Sequence, residues 1–350
     1  LLDKARFPRD KVCGDAIGGR VISVLSRIDP SYSKELEICA KVNRSTSWTL
    51  YSPEGRSVSM TFTKPGYISR RADFDNLLLD LVRRHTQVSI IEEFTVNRIE
   101  KNGSGLNLFP EKGDSIQSKL LIACDGAHSV SAKQLADFKV NMRHYSGAVR
   151  AYFNNISNFS DSNALEIHLL KEHLPGYFWI FPLSATSANV GFGMLSSDIS
   201  KRKINLKNVF REIITQAPGI AERFKNASQE GEIEGFGLPL GGIQRRISGS
   251  NYMLCGDAAS LIDPLNGEGI GNAMWSGYLA GMHARKCFEA NDFSGEFMHA
   301  YDQSVYSKLG KELRSKLYMQ KIFNREWLIN FLVRMGQKNS WLKNNIARKL

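Results

Sequence analysis

The chain has 350 residues, 42% hydrophobic and 23% charged, an ordinary globular composition long enough for one large or two ordinary domains with a substantial core. No uninterrupted apolar run reaches membrane-spanning length, no secretory signal is read, and five scattered cysteines do not suggest a disulfide framework, so a cytoplasmic protein is expected. Of the net charge of +11, +9 sits in the tail: from Lys308 onward eleven Lys and Arg stand against only Glu312 and Glu326, a pattern open to a membrane surface or to water, while no nucleic-acid-binding motif makes nucleic acid an expected partner.

Leu1, Leu2 and Asp3 read as the end of a strand. An acid at the end of the second strand of a dinucleotide-binding βαβ unit hydrogen-bonds the adenosine ribose, and Asp3 fits that place. The first strand, a G-x-G-x-x-G turn and the first helix, roughly thirty residues, are then expected upstream of Leu1. Lys11-Val12-Cys13-Gly14-Asp15-Ala16-Ile17-Gly18-Gly19 follows, leading into a helical pattern through Val21, Val24, Leu25 and Ile28. Glycine and alanine in such a turn let the backbone approach a flat ring closely. Residues 36–64 alternate around a turn at Ser52-Pro53-Glu54-Gly55 and read as strands.

Arg71-Ala72-Asp73-Phe74-Asp75 opens an amphipathic helix through Leu77, Leu78, Leu81 and Val82, and its arginine suits a phosphate. A β-meander is expected over 88–91, 95–100, 105–109 and 115–123, with turns at Lys101-Asn102-Gly103 and Lys112-Gly113-Asp114. Its last apolar run ends in Cys124-Asp125-Gly126, a strand opening at the carboxyl edge of a sheet, where ligands bind. His128 reads as a surface loop residue. From 145 to 239 the pattern is mostly strand, with a helix near 206–215. Tyr177, Trp179 and Phe181 alternate and share one strand face, which suits either an aromatic core or the wall of an apolar pocket.

The most informative stretch is 251–281. Tyr252, Met253, Leu254 and Cys255 form a short strand; Asp257 follows in Gly256-Asp257-Ala258-Ala259; Pro264, Gly267 and Gly269 lead into a helix rich in small residues. A strand, an acid, a glycine-rich turn and a helix start present backbone N–H groups to an anionic or electron-accepting ligand. Asp257 is placed to accept hydrogen bonds from sugar hydroxyls rather than to face a phosphate. Beyond 290 the chain is helical and basic, and Trp327, Leu328, Phe331, Leu332 and Met335 make an apolar stripe that packs on the main body or docks at a membrane.

G-D-A-A followed by P-x-x-G-E-G-I resembles the second FAD fingerprint of flavoproteins with the p-hydroxybenzoate hydroxylase type of fold. K-x-C-G before a helix, and Y-x-W-x-F-P followed by A-N-V-G-x-G, are similar to motifs of the geranylgeranyl reductase branch. The resemblance implies an α/β fold: a discontinuous Rossmann-like FAD-binding domain (1–35, 65–140 and 245–290) around an antiparallel-sheet substrate domain (36–64 and 141–244), with a basic helical region (291–350). It implies that Asp257 binds the ribityl chain of FAD and that the helix after Gly269 and Ile270 points its positive end at the flavin. It places Cys13, Gly14 and Ala16 along the flavin, Arg71 on a phosphate or flavin oxygen, Val96 against the adenine, and Tyr177 and Trp179 beside a prenyl-binding cavity. Asp15 departs from the glycine usual in that branch, Cys124 from an alanine, and the basic residue expected after Ser129 is shifted, which puts nicotinamide-nucleotide contact there in doubt. The activity implied is reduction of carbon–carbon double bonds of a prenyl lipid, with electrons from NAD(P)H or another reductant. Two alternatives stand beside it: a flavin monooxygenase or halogenase of the same fold, and a non-enzymatic flavin- or lipid-binding protein. Membrane contact through the basic tail is a further expectation.

Overall fold

A computed structural model describes residues 1–39, 41–103, 105–159 and 163–338. Eight strands form the main sheet in the order Ala16–Ile17, Ser57–Ile68, Asn43–Tyr51, Leu165–His168, Tyr177–Pro182, Ala188–Leu195, Tyr145–Asn154, Ser228–Pro239. Every pairing is antiparallel except that of Asn43–Tyr51 with Leu165–His168. Side chains alternate across such strands, so one register sorts the whole sheet. Phe178, Ile180, Val190, Phe192, Val149 and Ala151 point to the rear, where they are buried with Phe210 and Ile213 of the Leu206–Gln216 helix. Also buried at the rear, Arg223 donates to both oxygens of Glu166 at 2.5 and 3.0 Å, and His168 meets the same carboxylate at 3.1 Å. The front presents Tyr177, Trp179, Phe181, Asn189, Gly191, Tyr152 and Arg150.

A second sheet holds Ser248–Gly249, Tyr252–Leu254 and Leu121–Ala123, the last two parallel. The helices Ile270–Ala290 and Gly295–Ile322 cover it and contribute Trp275, Ala280, Tyr301, Val305 and Leu309 to the largest apolar cluster. A third sheet of Val96–Asn102, Gly105–Pro110 and Ile116–Ser118 packs Ile99, Leu106 and Leu108 into the same cluster. The architecture is the α/β fold expected, with a parallel strand pair beside a large antiparallel sheet.

Three expectations need correction. The meander is shorter: residues 88–91 contribute only a single parallel bridge, Ile91 to Leu2, and 115–123 is not one strand. Ser118 Oγ donates to Leu120 O, the chain turns there, and Leu121–Ala123 crosses into the second sheet. Residues 36–38 close a helix, Pro30–Ile38, because Asp29 accepts from Ser31 N–H and Pro30 occupies the first helical position. The Glu326–Lys338 helix packs with a different face from the expected stripe. Ile329, Asn330, Val333 and Gly336 are buried, with Val333 clustered on Leu50, Val58 and Met60 and Gly336 beside Val58, whereas Trp327 and Phe331 are 64% and 53% exposed.

Candidate functional site

The site begins where the Tyr252–Leu254 strand ends. Gly256–Ala259 makes one tight 3-10 turn, and Gly256 N–H donates to Ser276 Oγ at 3.0 Å, fastening the turn to the next helix. Asp257 in that turn meets Lys11 Nζ at 3.3 Å, joining the chain's first segment to it. The loop beyond is braced from below: Asp263 Oδ1 accepts from Leu265 N–H at 2.9 Å, its Oδ2 pairs with Lys316 Nζ at 2.6 Å, and Gln320 Nε2 donates to Pro264 O. Gly267 has φ +75°, and a Cβ there would lie 2.9 Å from Tyr177 Oη. That hydroxyl donates to Asn266 O at 2.5 Å, and burial, with the Asp263 carboxylate adding to it, raises its pKa above the ordinary value. The Ile270–Ala290 helix starts at Gly269 with no side-chain cap, so its first N–H groups carry no side-chain acceptor. A Cβ on Gly269 would lie 3.5 Å from Asp257 Oδ1.

The Lys11–Ala16 turn faces this loop across the front of the main sheet. A Cβ on Gly14 would stand 3.3 Å from the Phe181 ring and 3.6 Å from Trp179 Nε1. Asn189 ties the turn to the sheet: its Nδ2 donates to Cys13 O at 2.7 Å and to Asp15 Oδ2 at 2.8 Å, while its Oδ1 accepts from Trp179 Nε1 at 2.9 Å. The Trp179 indole lies over Gly191, where an added Cβ would overlap the ring edge. Asp15 is buried at φ +64° and also accepts from Tyr152 Oη at 2.8 Å. Burial pushes its carboxyl up to about 6 against the hydrogen bonds from Asn189 and Tyr152. Arg71 donates to both oxygens of Asp75 at 2.8 Å and sits beside the Cys13 thiol; burial opposes its charge, yet Cys13 and Asp75 hold its pKa above the ordinary value.

Cys13, Gly14, Arg71, Tyr177, Trp179, Asp257, Gly269 and Ile270 therefore gather around one region. Ala16 stands at its edge, paired with Ile68, and Ile270 packs on the Ile17–Val21 cluster. Asp3 and Val96 lie near each other: Phe94 N–H donates to Asp3 O, and Leu2 and Val96 pack on the apolar cluster that also holds Cys255, Ala258 and Ala259. Asp3 Oδ1 accepts from Ala5 N–H at 2.9 Å. Arg71 reaches a carboxylate in the structure rather than standing open for an anion. His128 is exposed, edge-on to Phe236. Sequence reasoning met Lys11 and Asn189 only as motif letters and gave Tyr152 and Lys316 no role, because the partners of all four are distant in sequence. A surface hollow of about 570 Å³ lined by His283, Lys286, Asp292 and Phe297 shares no residue with this region and is too open to be its binding cleft. Among the described residues no cluster could hold a metal ion.

Comparison with known proteins adds ancestry to this geometry. A family model described as the geranylgeranyl reductase catalytic domain matches residues 145–228. The digeranylgeranylglycerophospholipid reductase of Methanocaldococcus jannaschii is 32% identical over 284 residues, 79% of this chain and 70% of that protein. The chain belongs to the geranylgeranyl reductase family. A menaquinone reductase of Mycobacterium tuberculosis is 30% identical, over 80% of this chain and 69% of that protein. This family member spans 64% of the length of digeranylgeranylglycerophospholipid reductase 1 of Methanosphaera stadtmanae, at 29% identity over 76% of the chain. Among solved structures, a geranylgeranyl bacteriochlorophyll reductase-like protein from Thermoplasma acidophilum superposes with a TM-score of 0.82 at 22% identity, covering 95% of this chain and 83% of that one. The halogenase PltM bound to phloroglucinol and FAD gives 0.76 at 15% identity, covering 98% and 76%, a likeness of fold alone.

Proposed function

We propose that the full-length protein is an FAD-dependent oxidoreductase that saturates carbon–carbon double bonds of a prenyl lipid. The observation that carries the reading is the convergence of three elements on one space: the Lys11–Ala16 turn, the aromatic face of Tyr177–Pro182, and the uncapped start of the Ile270–Ala290 helix. The residues fit a flavin. Asp257 would accept from the ribityl hydroxyls, and the first N–H groups of the helix would stabilise the negative charge of the reduced ring. Gly14, lacking a side chain, lets the turn lie close against Phe181 and Trp179, and Gly269 keeps the helix start clear of a side chain beside Asp257. FAD supplies the hydride when bound. The chain's own part is to hold the lipid alkene against the ring between Tyr177 and Trp179, to exclude water there, and to keep the loop rigid through Lys316 and Asp263. The relatives named as reductases of a digeranylgeranyl lipid and of menaquinone share a prenyl chain as substrate class, and this supports the same class here.

NAD(P)H or another donor would reduce the flavin; dithionite in its place separates lipid reduction from donor identity. Incubation of the full-length protein with dithionite and geranylgeranyl lipids should yield products heavier by pairs of hydrogens in mass spectrometry, and unchanged alkenes across several prenyl lipids would remove the reading. The region also offers a membrane edge. Tyr318, Ile322, Trp327 and Phe331 are each half or more exposed, with Lys321 and Arg325 between them, a combination suited to anionic head groups. No helix among the described residues is long and apolar enough to cross a bilayer, so the contact would be peripheral.

A further inference from the structure

Resting on the flavin reading above, we propose that Asp15 takes up a proton when a flavin held against the Cys13–Gly14 turn is reduced, so that the carboxyl behind the turn becomes neutral as the ring gains negative charge. The geometry singles out this carboxyl. Asp15 follows directly on Gly14, whose missing side chain brings the turn against Trp179 and Phe181. Asn189 binds both Asp15 Oδ2 and Cys13 O, so the charge of the carboxyl and the position of the turn are linked through one amide. The other oxygen, Oδ1, is buried and has no hydrogen-bond partner among the described residues. A lone buried oxygen is costly on a carboxylate, and protonation removes that cost.

The groups facing Asp15 allow either state. From the Tyr145–Asn154 strand come the Tyr152 hydroxyl and the Arg150 guanidinium; from Ala188–Leu195 comes Asn189; from its own segment comes Asp10, paired with Arg150; and Arg70 stacks over Tyr152 at 4.3 Å. Arg150 is only partly available to neutralise Asp15, because it also pairs with Glu234 at 2.9 Å. The raised pKa of about 6 puts the carboxyl within reach of a second negative charge: in the oxidised protein it is largely ionised at neutral pH, and an anionic ring nearby raises it further. In the balance of the step, a reductant such as dithionite gives two electrons, the flavin takes one proton to become the reduced anion, and Asp15 takes a second proton from solvent.

The test is a spectroelectrochemical titration of the FAD-loaded full-length protein between about pH 5 and about pH 8.5, for the wild type, Asp15→Asn and Tyr152→Phe. Above pH 6 the wild-type potential should fall with pH more steeply than that of Asp15→Asn by about 30 mV per pH unit, which is a tenfold change in proton concentration for a two-electron couple. Tyr152→Phe removes a hydrogen bond that favours the carboxylate, so its steep region should move to higher pH. Parallel wild-type and Asp15→Asn lines overturn the proposal. If Asp15→Asn fails to fold, a steep region that Tyr152→Phe leaves in place overturns it instead. A full-length protein that binds no FAD fails the flavin reading itself, a distinct outcome.

Discussion

Replacing Asp15 with asparagine keeps the shape of the side chain and removes its titration. Asp15 has a folded pKa of about 6 against an ordinary 3.8, so folding favours its protonated form. Its contribution to stability is complete below pH 3.8 and is lost as the pH rises through about 6. The rise corresponds to roughly 3 kcal/mol, of which roughly 2 kcal/mol falls between about pH 4 and about pH 7.5. Asn189 and Tyr152 already oppose this rise, and burial outweighs them. Urea unfolding of the ligand-free chain at intervals across that range measures it. The wild type should lose stability relative to Asp15→Asn as the pH climbs, whatever constant offset the new amide introduces. Two curves that stay parallel would show that the carboxyl is ionised throughout and that the buried network neutralises it in another way.

Gly191→Ala should cost roughly 1–3 kcal/mol by overpacking and shift the tryptophan emission, because Trp179 must leave its place over the strand; an unchanged spectrum and melting temperature would contradict the packing described. Glu166→Gln leaves Arg223 buried without its anion and should destabilise the chain by roughly 3–5 kcal/mol in the same unfolding assay, whereas a loss within error would mean that the pair is solvated. Lys316→Met strands the Asp263 carboxylate under the loop, and the full-length variant should hold FAD about tenfold more weakly by fluorescence titration, a change of about 1.4 kcal/mol; equal affinity would show that the loop needs no brace from below.

The parts of the site legible in the sequence are those whose chemistry is local. Strand, Asp257, glycine turn and helix start all fall in the continuous segment 252–270, so their order and spacing along the chain convey their arrangement. The shared face of Tyr177, Trp179 and Phe181 follows from strand alternation. The network around Asp15 was not legible, because Tyr152 and Asn189 are 137 and 174 residues away and meet it only through the register Asn189 to Tyr152. Nor could periodicity fix which face of Glu326–Lys338 is buried: Gly336 and Asn330 carry little apolar signal, yet the small Gly336 lets the helix approach Val58, and Asn330 accepts from Glu54 N–H. The split of 115–123 between two sheets is fixed by Ser118 Oγ on Leu120 O and by Asn251, which bonds Lys119 O, 132 residues away, and Leu121 N–H, inside a run that otherwise reads as continuous strand.

In the proposed enzyme a flavin lies between the Lys11–Ala16 turn and the Gly269 helix start, with a prenyl chain against Tyr177 and Trp179. Lipid mass spectrometry after anaerobic incubation of the full-length protein with dithionite and a geranylgeranyl lipid tests this most directly. Saturated products are expected from the wild type and far fewer from Asp257→Ala, which would lose the proposed hold on the ribityl chain. Products that form equally with Asp257→Ala, or only with oxygen and as oxygenated or halogenated species, would contradict it.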